Sequence, residues 1–369
     1  MKGRTSKRLV VKVGTNTLTG GEDHLARPAM LGVVRQIARL VRDGHQVALV
    51  SSGAIVAGRQ ALAVSRNGKD IPFKQVLAAV GQTRLMQMWD ELFSSEDLLV
   101  AQTLLTRTDL ADRQGYLNSR NTLLALLERQ VVPVINENDV VATEEIKIGD
   151  NDNLSALVAN LIDADLLILL TDQAGLYTSD PRQNASATLI PEVPVISDDI
   201  MALAAGAGTI RGTGGMMTKL QAARLATESG VSVLVAGGMT ENVLVRALKG
   251  EAVGTRFPSN RTRMESRKRW IVSGLAGKSA AHIDAGAVTA LGRGRSLLPA
   301  GLVKVKGPFD RGDSVNIVGP EGKSIGCGVA NYSSADLERI KGCRSVEISQ
   351  ILGYNFGDEV IHRNNVVLL

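Results

Sequence analysis

Gly206-Ala-Gly-Thr-Ile-Arg-Gly-Thr-Gly-Gly-Met-Met-Thr-Lys219 sets five glycines against the start of a helical segment, and the reading of this 369-residue chain turns on it. The helix is expected from near Met216, with Leu220, Ala223 and Ala226 on one side, until Gly230 stops it. Bare backbone amides and a positive helix end would then face the same spot, a place that suits a polyphosphate. Lys219 falls in the first turn, where its ammonium can sit beside a terminal phosphate. A glycine-rich loop that merely caps a helix explains the same letters when they are taken alone.

Two familiar phosphate loops are excluded by spacing. A Walker A loop needs a Gly five residues before its Gly-Lys-Ser/Thr, yet Val272 and Ile317 stand there for Gly277-Lys278-Ser279 and Gly322-Lys323-Ser324. The dinucleotide fingerprint fails because Arg211 and Met217 occupy the third-glycine positions.

Working outward, the pattern is strand, helix, strand. Leu9 to Val13 reads as a buried strand that runs into Gly14-Thr15-Asn16. Lys12 breaks the apolar run, either as an edge residue facing water or as a cation meeting a phosphate. Leu31 to Val41 is helical in period, and Val47 to Val50 is a second strand that opens into Ser51-Ser52-Gly53-Ala54. Helical Ala78 to Phe93, the apolar run Leu98 to Leu105, helical Tyr116 to Leu127 and strand Val131 to Ile135 continue the alternation. Such units build a parallel sheet with right-handed crossovers, and ligands gather at its carboxyl edge.

Polar clusters recur at that edge. Asn136-Glu137-Asn138-Asp139 follows one strand, where Asp139 can receive an amino group and Asn136 a carboxylate; an Asx-rich turn fits equally. Gly149-Asp150-Asn151-Asp152-Asn153 precedes a helix, with more side chains than one cap requires. Thr171-Asp172 ends the strand Leu166 to Leu170.

Composition removes several classes. Cys327 and Cys343 are the only cysteines and the four histidines are scattered, so a disulfide framework, a structural zinc site and histidine catalysis are not expected. No apolar run nears the ~20 residues of a membrane span, and a cytoplasmic protein is expected. The net charge of +5 comes from the tail: from Arg261 onward 16 Lys and Arg face 10 Asp and Glu, against 26 and 27 before it. Ser259 to Arg269 reads as a linker, and short β-rich runs at Val303 to Val305, Ser314 to Val318 and Val360 to Leu369 suggest a small β-barrel-like module.

Taken together and in order, Lys12-Val-Gly14-Thr15, Ser51 to Ala54, Asn136 to Asp139, Gly149 to Asn153, Thr171-Asp172 and Gly212 to Lys219 resemble the glutamate 5-kinases of the amino-acid-kinase family. The tail, with Ser296 to Pro299, Gly301 and Arg311-Gly312-Asp313, is similar to a PUA domain. The resemblance implies an α/β fold, a three-layer αβα sandwich with an open, mainly parallel sheet, plus a small C-terminal β-rich PUA domain. The expected division is a catalytic domain over 1–258, a linker over 259–276 and a PUA domain over 277–369.

It implies further that ATP phosphorylates the γ-carboxylate of glutamate, the first step of proline biosynthesis. Ser52, Asp139, Asn151 and Asn136 match glutamate-binding positions. Lys12, Thr171, Asp172 and the run Thr213, Gly214, Gly215, Met216, Met217, Thr218 and Lys219 match ATP-binding ones. Lys12, Lys219 and Asp152 form the expected catalytic set, Asp152 orienting the two lysines. Mg2+ would arrive with the nucleotide, no protein metal site is expected, and proline feedback and a dimer or tetramer belong to the family. Another amino-acid kinase, acting on aspartate or acetylglutamate, and an RNA-binding or regulatory role for the tail are the competing readings.

Overall fold

In a computed structural model of the protein, residues 6–64, 70–142, 151–205, 215–259 and 275–368 are described. Most of the glycine-rich stretch, with Thr213 and Gly214, lies outside the described residues, as do Gly149, Asp150 and most of the expected linker. The chain divides into two compact units, Met1–Ala111 with Asn118–Arg263, and Asp112–Leu117 with Met264–Leu369. No helix among the described residues is long and apolar enough to cross a membrane.

In chain order the elements of the first part are β1 (Arg8–Val13), α1 (Thr15–Thr19), α2 (Arg27–Arg42), β2 (Gln46–Ser51), α3 (Ala54–Leu62), α4 (Ile71–Ser94) and β3 (Val100–Leu105). There follow α5 (Arg107–Ala111), α6 (Arg113–Glu128), β4 (Val132–Glu137), α7 (Asn151–Leu161), β5 (Leu166–Thr171) and α8 (Asp198–Ala205). Then come α9 (Met216–Glu228), β6 (Ser232–Gly237), α10 (Val243–Leu248) and β7 (Thr255–Phe257). The seven strands form one sheet in the order β3-β4-β2-β1-β5-β6-β7. Every pairing is parallel except that of the edge strand β7. Because β2 lies on one side of β1 and β5 on the other, the loops leaving β1 and β5 diverge, which opens a crevice at their carboxyl ends.

Strand alternation assigns the two faces. Leu9, Val11 and Val13 of β1 join a buried cluster with Val34 and Ile37 of α2, Leu85 and Trp89 of α4 and Leu244 of α10. The intervening Lys12 therefore points to the opposite face, against which α7 packs. On the first face α3 and α4 cross closely because both are glycine at the contact. A Cβ on Gly58 would lie 1.9 Å from the Leu77 carbonyl oxygen, and one on Gly81 1.8 Å from that of Ala54.

Several elements differ from their sequence-based bounds. Helix α4 begins seven residues earlier than the apolar spacing predicts, at Ile71, where the Asp70 carboxylate accepts the Phe73 N–H at 2.8 Å and caps the end. Asn136 and Glu137 belong to β4 itself and not to a turn after it. Helix α7 starts at Asn151, so Asn151, Asp152 and Asn153 lie inside its first turn and do not precede it.

In the second unit β8 (Leu275–Ile283), α11 (Ala285–Gly292), β9 (Leu302–Lys306), β10 (Ser314–Val318), β11 (Ser324–Val329), α12 (Ser334–Ile340), α13 (Ile348–Leu352) and β12 (Val366–Leu368) follow one another. The strands make a separate five-stranded sheet ordered β12-β11-β10-β8-β9. It has its own core, which includes Leu297, Phe309, Ile317, Tyr332, Leu337 and Ile361. The strand expected over Val360 to Leu369 is shorter: Ile361 makes one bridge to Leu297, a helical turn follows, and only Val366–Leu368 pairs with β11.

Several aromatic side chains of this unit cluster together. Tyr354 and Phe356 are part-exposed with ring centroids 5.0 Å apart, Tyr332 lies 5.8 Å from Phe356, and the Arg311 guanidinium sits 3.9 Å over the Phe356 ring.

Candidate active site

Three charged side chains meet at the carboxyl end of β1. Lys12 Nζ is 2.6 Å from Asp152 Oδ1, and Lys219 Nζ is 3.3 Å from Asp152 Oδ2. All three residues are more than nine-tenths buried. An ammonium with so little water is tolerated only beside a negative partner, and two ammoniums against one carboxylate leave a net positive charge within this triad. Burial pushes the Asp152 carboxyl up, but the two lysines and a hydrogen bond from Thr218 outweigh it, so the group lies below its ordinary 3.8.

Local sequence explains how distant residues arrive together. Helix α9 starts immediately after Gly215, which puts Thr218 and Lys219 in its first turn. The Thr218 hydroxyl donates to Asp152 Oδ2 at 2.7 Å and accepts the Gly215 N–H at 3.3 Å. Lys219 Nζ also donates to the Gly215 carbonyl at 3.3 Å. Directly after β1, Gly14 lies beside the lysine: a Cβ there would stand 3.6 Å from Lys12 Nζ, an ordinary van der Waals contact.

A second, uncharged cluster adjoins the first. Asn151 Nδ2 donates to Asn136 Oδ1 at 2.9 Å, to Ser52 Oγ at 3.1 Å and to the Ser51 carbonyl at 3.3 Å. Asn151 and Asp152 are consecutive, so the first turn of α7 carries one side chain into each cluster. This explains the excess of Asx residues: neither of these two is spent on capping. Asp139 lies two residues beyond the end of β4, half-buried, and burial raises its carboxyl from 3.8 to about 6. No hydrogen bond joins the Asp139 carboxylate to the Ser52 cluster; its backbone carbonyl is held by Gln75 at 3.0 Å.

The remaining predicted residues line the neighbouring strand ends. The Thr171 hydroxyl donates to Asp172 Oδ1 at 3.0 Å and the Asn16 amide to Asp172 Oδ2 at 2.9 Å. Burial opposes ionisation of Asp172, and those hydrogen bonds overcome it and hold the carboxyl low. Thr17 packs against the backbone after β6 so tightly that a Cβ on Gly238 would come within 2.3 Å of its methyl. Met216 and Met217 are half-buried at the start of α9.

Sequence reasoning missed Gln75, Gln82 and Trp89 of α4, which touch the uncharged cluster or its loop. Gln82 Oε1 accepts from Asn136 Nδ2 at 2.8 Å, and the Trp89 indole N–H donates to Ser51 Oγ at 3.0 Å. Beyond their seven-residue spacing nothing in the sequence sets them apart, because Lys74, Thr83, Arg84, Gln87, Asp90 and Glu91 of the same helix are polar too.

The fold and this arrangement define a class. Residues 7–237 match the family model of the amino acid kinase family and residues 280–352 that of the PUA domain. The chain belongs to the amino acid kinase family. It is 54% identical over 361 residues to glutamate 5-kinase of Herpetosiphon aurantiacus, covering 98% of each chain. It is 52% identical over 367 residues to glutamate 5-kinase of Dehalococcoides mccartyi strain CBDB1, again covering 98% of each chain. Glutamate 5-kinase of Deinococcus radiodurans is 50% identical over 98% of this chain and all of its own. Among solved structures, UMP kinase from Bacillus anthracis superposes with a TM-score of 0.51 at 18% identity, over 70% of this chain and 98% of that one, a likeness of fold.

Proposed function

We propose that the protein transfers the γ-phosphoryl group of ATP to the γ-carboxylate of glutamate, yielding γ-glutamyl phosphate and ADP and opening proline biosynthesis. The observation that carries this reading is the meeting of Lys12 and Lys219 on one buried carboxylate, beside a neutral Ser52–Asn136–Asn151 cluster. A carboxylate is already a nucleophile at neutral pH, so the reaction needs no general base. It needs alignment and cancellation of charge in a loose phosphoryl-transfer state.

Lys12 and Lys219 supply that charge in the reading, each worth about 4 kcal/mol as a bare Coulomb term at 4 Å and an effective dielectric near 20. Asp152 keeps both ammoniums aimed at one place. Ser52, Asn136, Asn151 and Asp139 hold glutamate, Asp139 taking its ammonium group. Thr171, Asp172 and the run Thr213 to Lys219 hold ATP, whose Mg2+ arrives as part of the substrate. The backbone amides opening α9 and the ammonium of Lys219 suit the oxygens of a phosphate chain.

The reading also takes residues 1–258 as the catalytic domain, 259–276 as a linker and 277–369 as the PUA domain. It includes a cytoplasmic homo-oligomer subject to proline inhibition. Trapping the acyl phosphate with hydroxylamine tests the substrate: hydroxamate is expected with glutamate, and an equal yield with aspartate or acetylglutamate would overturn the assignment.

A second reading, compatible with the first, gives the PUA unit an RNA ligand. It is favoured by the exposed Lys304 and Lys306 on β9 and by the Arg311, Tyr354 and Phe356 cluster, since cations and ring faces are what single-stranded RNA contacts. Retention of RNA by the full chain should then weaken with salt and with Lys304→Ala and Lys306→Ala together.

A further inference from the structure

Helix α4 carries Gln75, Gln82 and Trp89 at intervals of seven residues, which places them along one line of the helix with a drift of only about 20° per interval. Two of them reach the neutral cluster and the third the loop after β4. Trp89 donates to Ser51 Oγ, Gln82 accepts from Asn136 Nδ2, and Gln75 Nε2 donates to the carbonyls of Asp139 at 3.0 Å and Ala142 at 3.3 Å.

The polarity of this array is not free. The Glu137 backbone N–H can only donate, and it donates to Asn136 Oδ1 at 2.9 Å. Asn136 must therefore present its NH2 to Gln82, so Gln82 offers oxygen, and Asn151 must offer NH2 to Asn136. One consequence is that Asn151 Oδ1 is turned away from these partners, buried and without a hydrogen bond of its own.

We propose that α4 is the positioning element of the acceptor subsite: Gln82 fixes the orientation of the Asn136 and Asn151 amides so that Asn151 Oδ1 accepts an N–H from the amino-acid substrate, while Trp89 and Gln75 set the Ser51–Ser52 and Asp139 segments around it. This rests on the reading of Ser52, Asn136 and Asn151 as the glutamate subsite. Gln75, Gln82 and Trp89 act through those residues and not on the reacting atoms. A buried acceptor left without a partner is costly, so a donor group on the ligand gains from meeting it.

Steady-state kinetics on the full chain test the proposal. Gln82→Met keeps the bulk and removes the acceptor, Trp89→Phe removes the indole N–H, and Gln75→Met removes both loop contacts. Each should raise KM for glutamate by about 3- to 10-fold, the worth of one net hydrogen bond, and leave KM for ATP unchanged. Gln87→Met is the control, because Gln87 sits on the same helix but bonds only the exposed Glu91 at 3.2 Å. A glutamate KM within twofold of the parent in all three variants would overturn the proposal. So would equal rises in both KM values, or a rise of the same size in Gln87→Met. Should Gln82→Met fail to fold, Trp89→Phe and Gln75→Met carry the decision. Inactivity of the unmodified protein toward glutamate would be a failure of the substrate reading and is seen before any variant is made.

Discussion

Lys12 Nζ lies 2.6 Å from Asp152 Oδ1 although one residue belongs to the first strand and the other to the seventh helix. The pair forms because strand alternation turns Lys12 away from the Val11 and Val13 face, and because α7 starts at Asn151, early enough to bring Asp152 over the end of β1. Lys219 reaches the other oxygen of the same carboxylate from the first turn of α9.

Truncating either lysine should therefore damage chemistry more than binding. Lys12→Ala and Lys219→Ala are each expected to lower kcat by roughly 10² to 10³, the scale of removing one preorganised donor. Turnover of either variant within a few-fold of the parent would remove that lysine from the mechanism.

Asp152→Asn should cost both stability and rate. It leaves two buried ammoniums without their shared carboxylate, and breaking a buried pair of this kind costs about 3–5 kcal/mol. The Asp152 carboxyl is held below its ordinary 3.8, so its stabilising contribution is fully present above about pH 4 and is lost as pH falls through the lower folded value. Thermal midpoints of parent and variant should differ most at neutral pH and converge in acid.

Asp139 has the opposite sign. Its carboxyl is raised to about 6 by burial, so the folded chain holds a proton there that the unfolded chain releases near 3.8. Stability falls as pH rises from about 4 to 6, and Asp139→Asn should raise the thermal midpoint above pH 6 and leave it unchanged below pH 4, with a ceiling of about 3 kcal/mol. If the ionised group receives the substrate's ammonium, the parent's KM for glutamate should also climb as pH drops through 6. A flat KM between pH 5 and 8 would argue against that contact.

Gly81→Ala should destabilise the fold and loosen the glutamate subsite together. The added methyl would lie 1.8 Å from the Ala54 carbonyl oxygen, a backbone atom with no side-chain freedom to retreat. A cost of at least about 1–3 kcal/mol is expected from overpacking of this kind. Because Ala54 closely follows Ser52, KM for glutamate should rise as well, which chemical denaturation and kinetics on one sample can check.

The alternating strand and helix pattern was legible in the sequence because most β-runs of the first unit are short, apolar and closed by small or polar residues. The charged triad was legible because Lys12 interrupts such a run and Lys219 follows such a glycine cluster. Strand β11 was not among the expected β-runs, because Gly326 and Gly328 interrupt its apolar pattern. In fact a Cβ at either would come within 3 Å of a backbone oxygen of the 365–367 segment, so glycine is there to admit a neighbouring chain. The polar seam of α4 was hidden for another reason: Gln75 and Gln82 look like ordinary surface glutamines until the sheet edge they touch is in place.

The adjacency of Asn151 and Asp152 acts as a ruler. One peptide unit, about 3.8 Å between Cα atoms, separates the side chain that serves the neutral cluster from the one that serves the lysines. The proposed acceptor and phosphoryl subsites are thus tied to a single helical turn, with no loop between them. A residue inserted between these two would misalign the reactants even in a chain that folded and bound both.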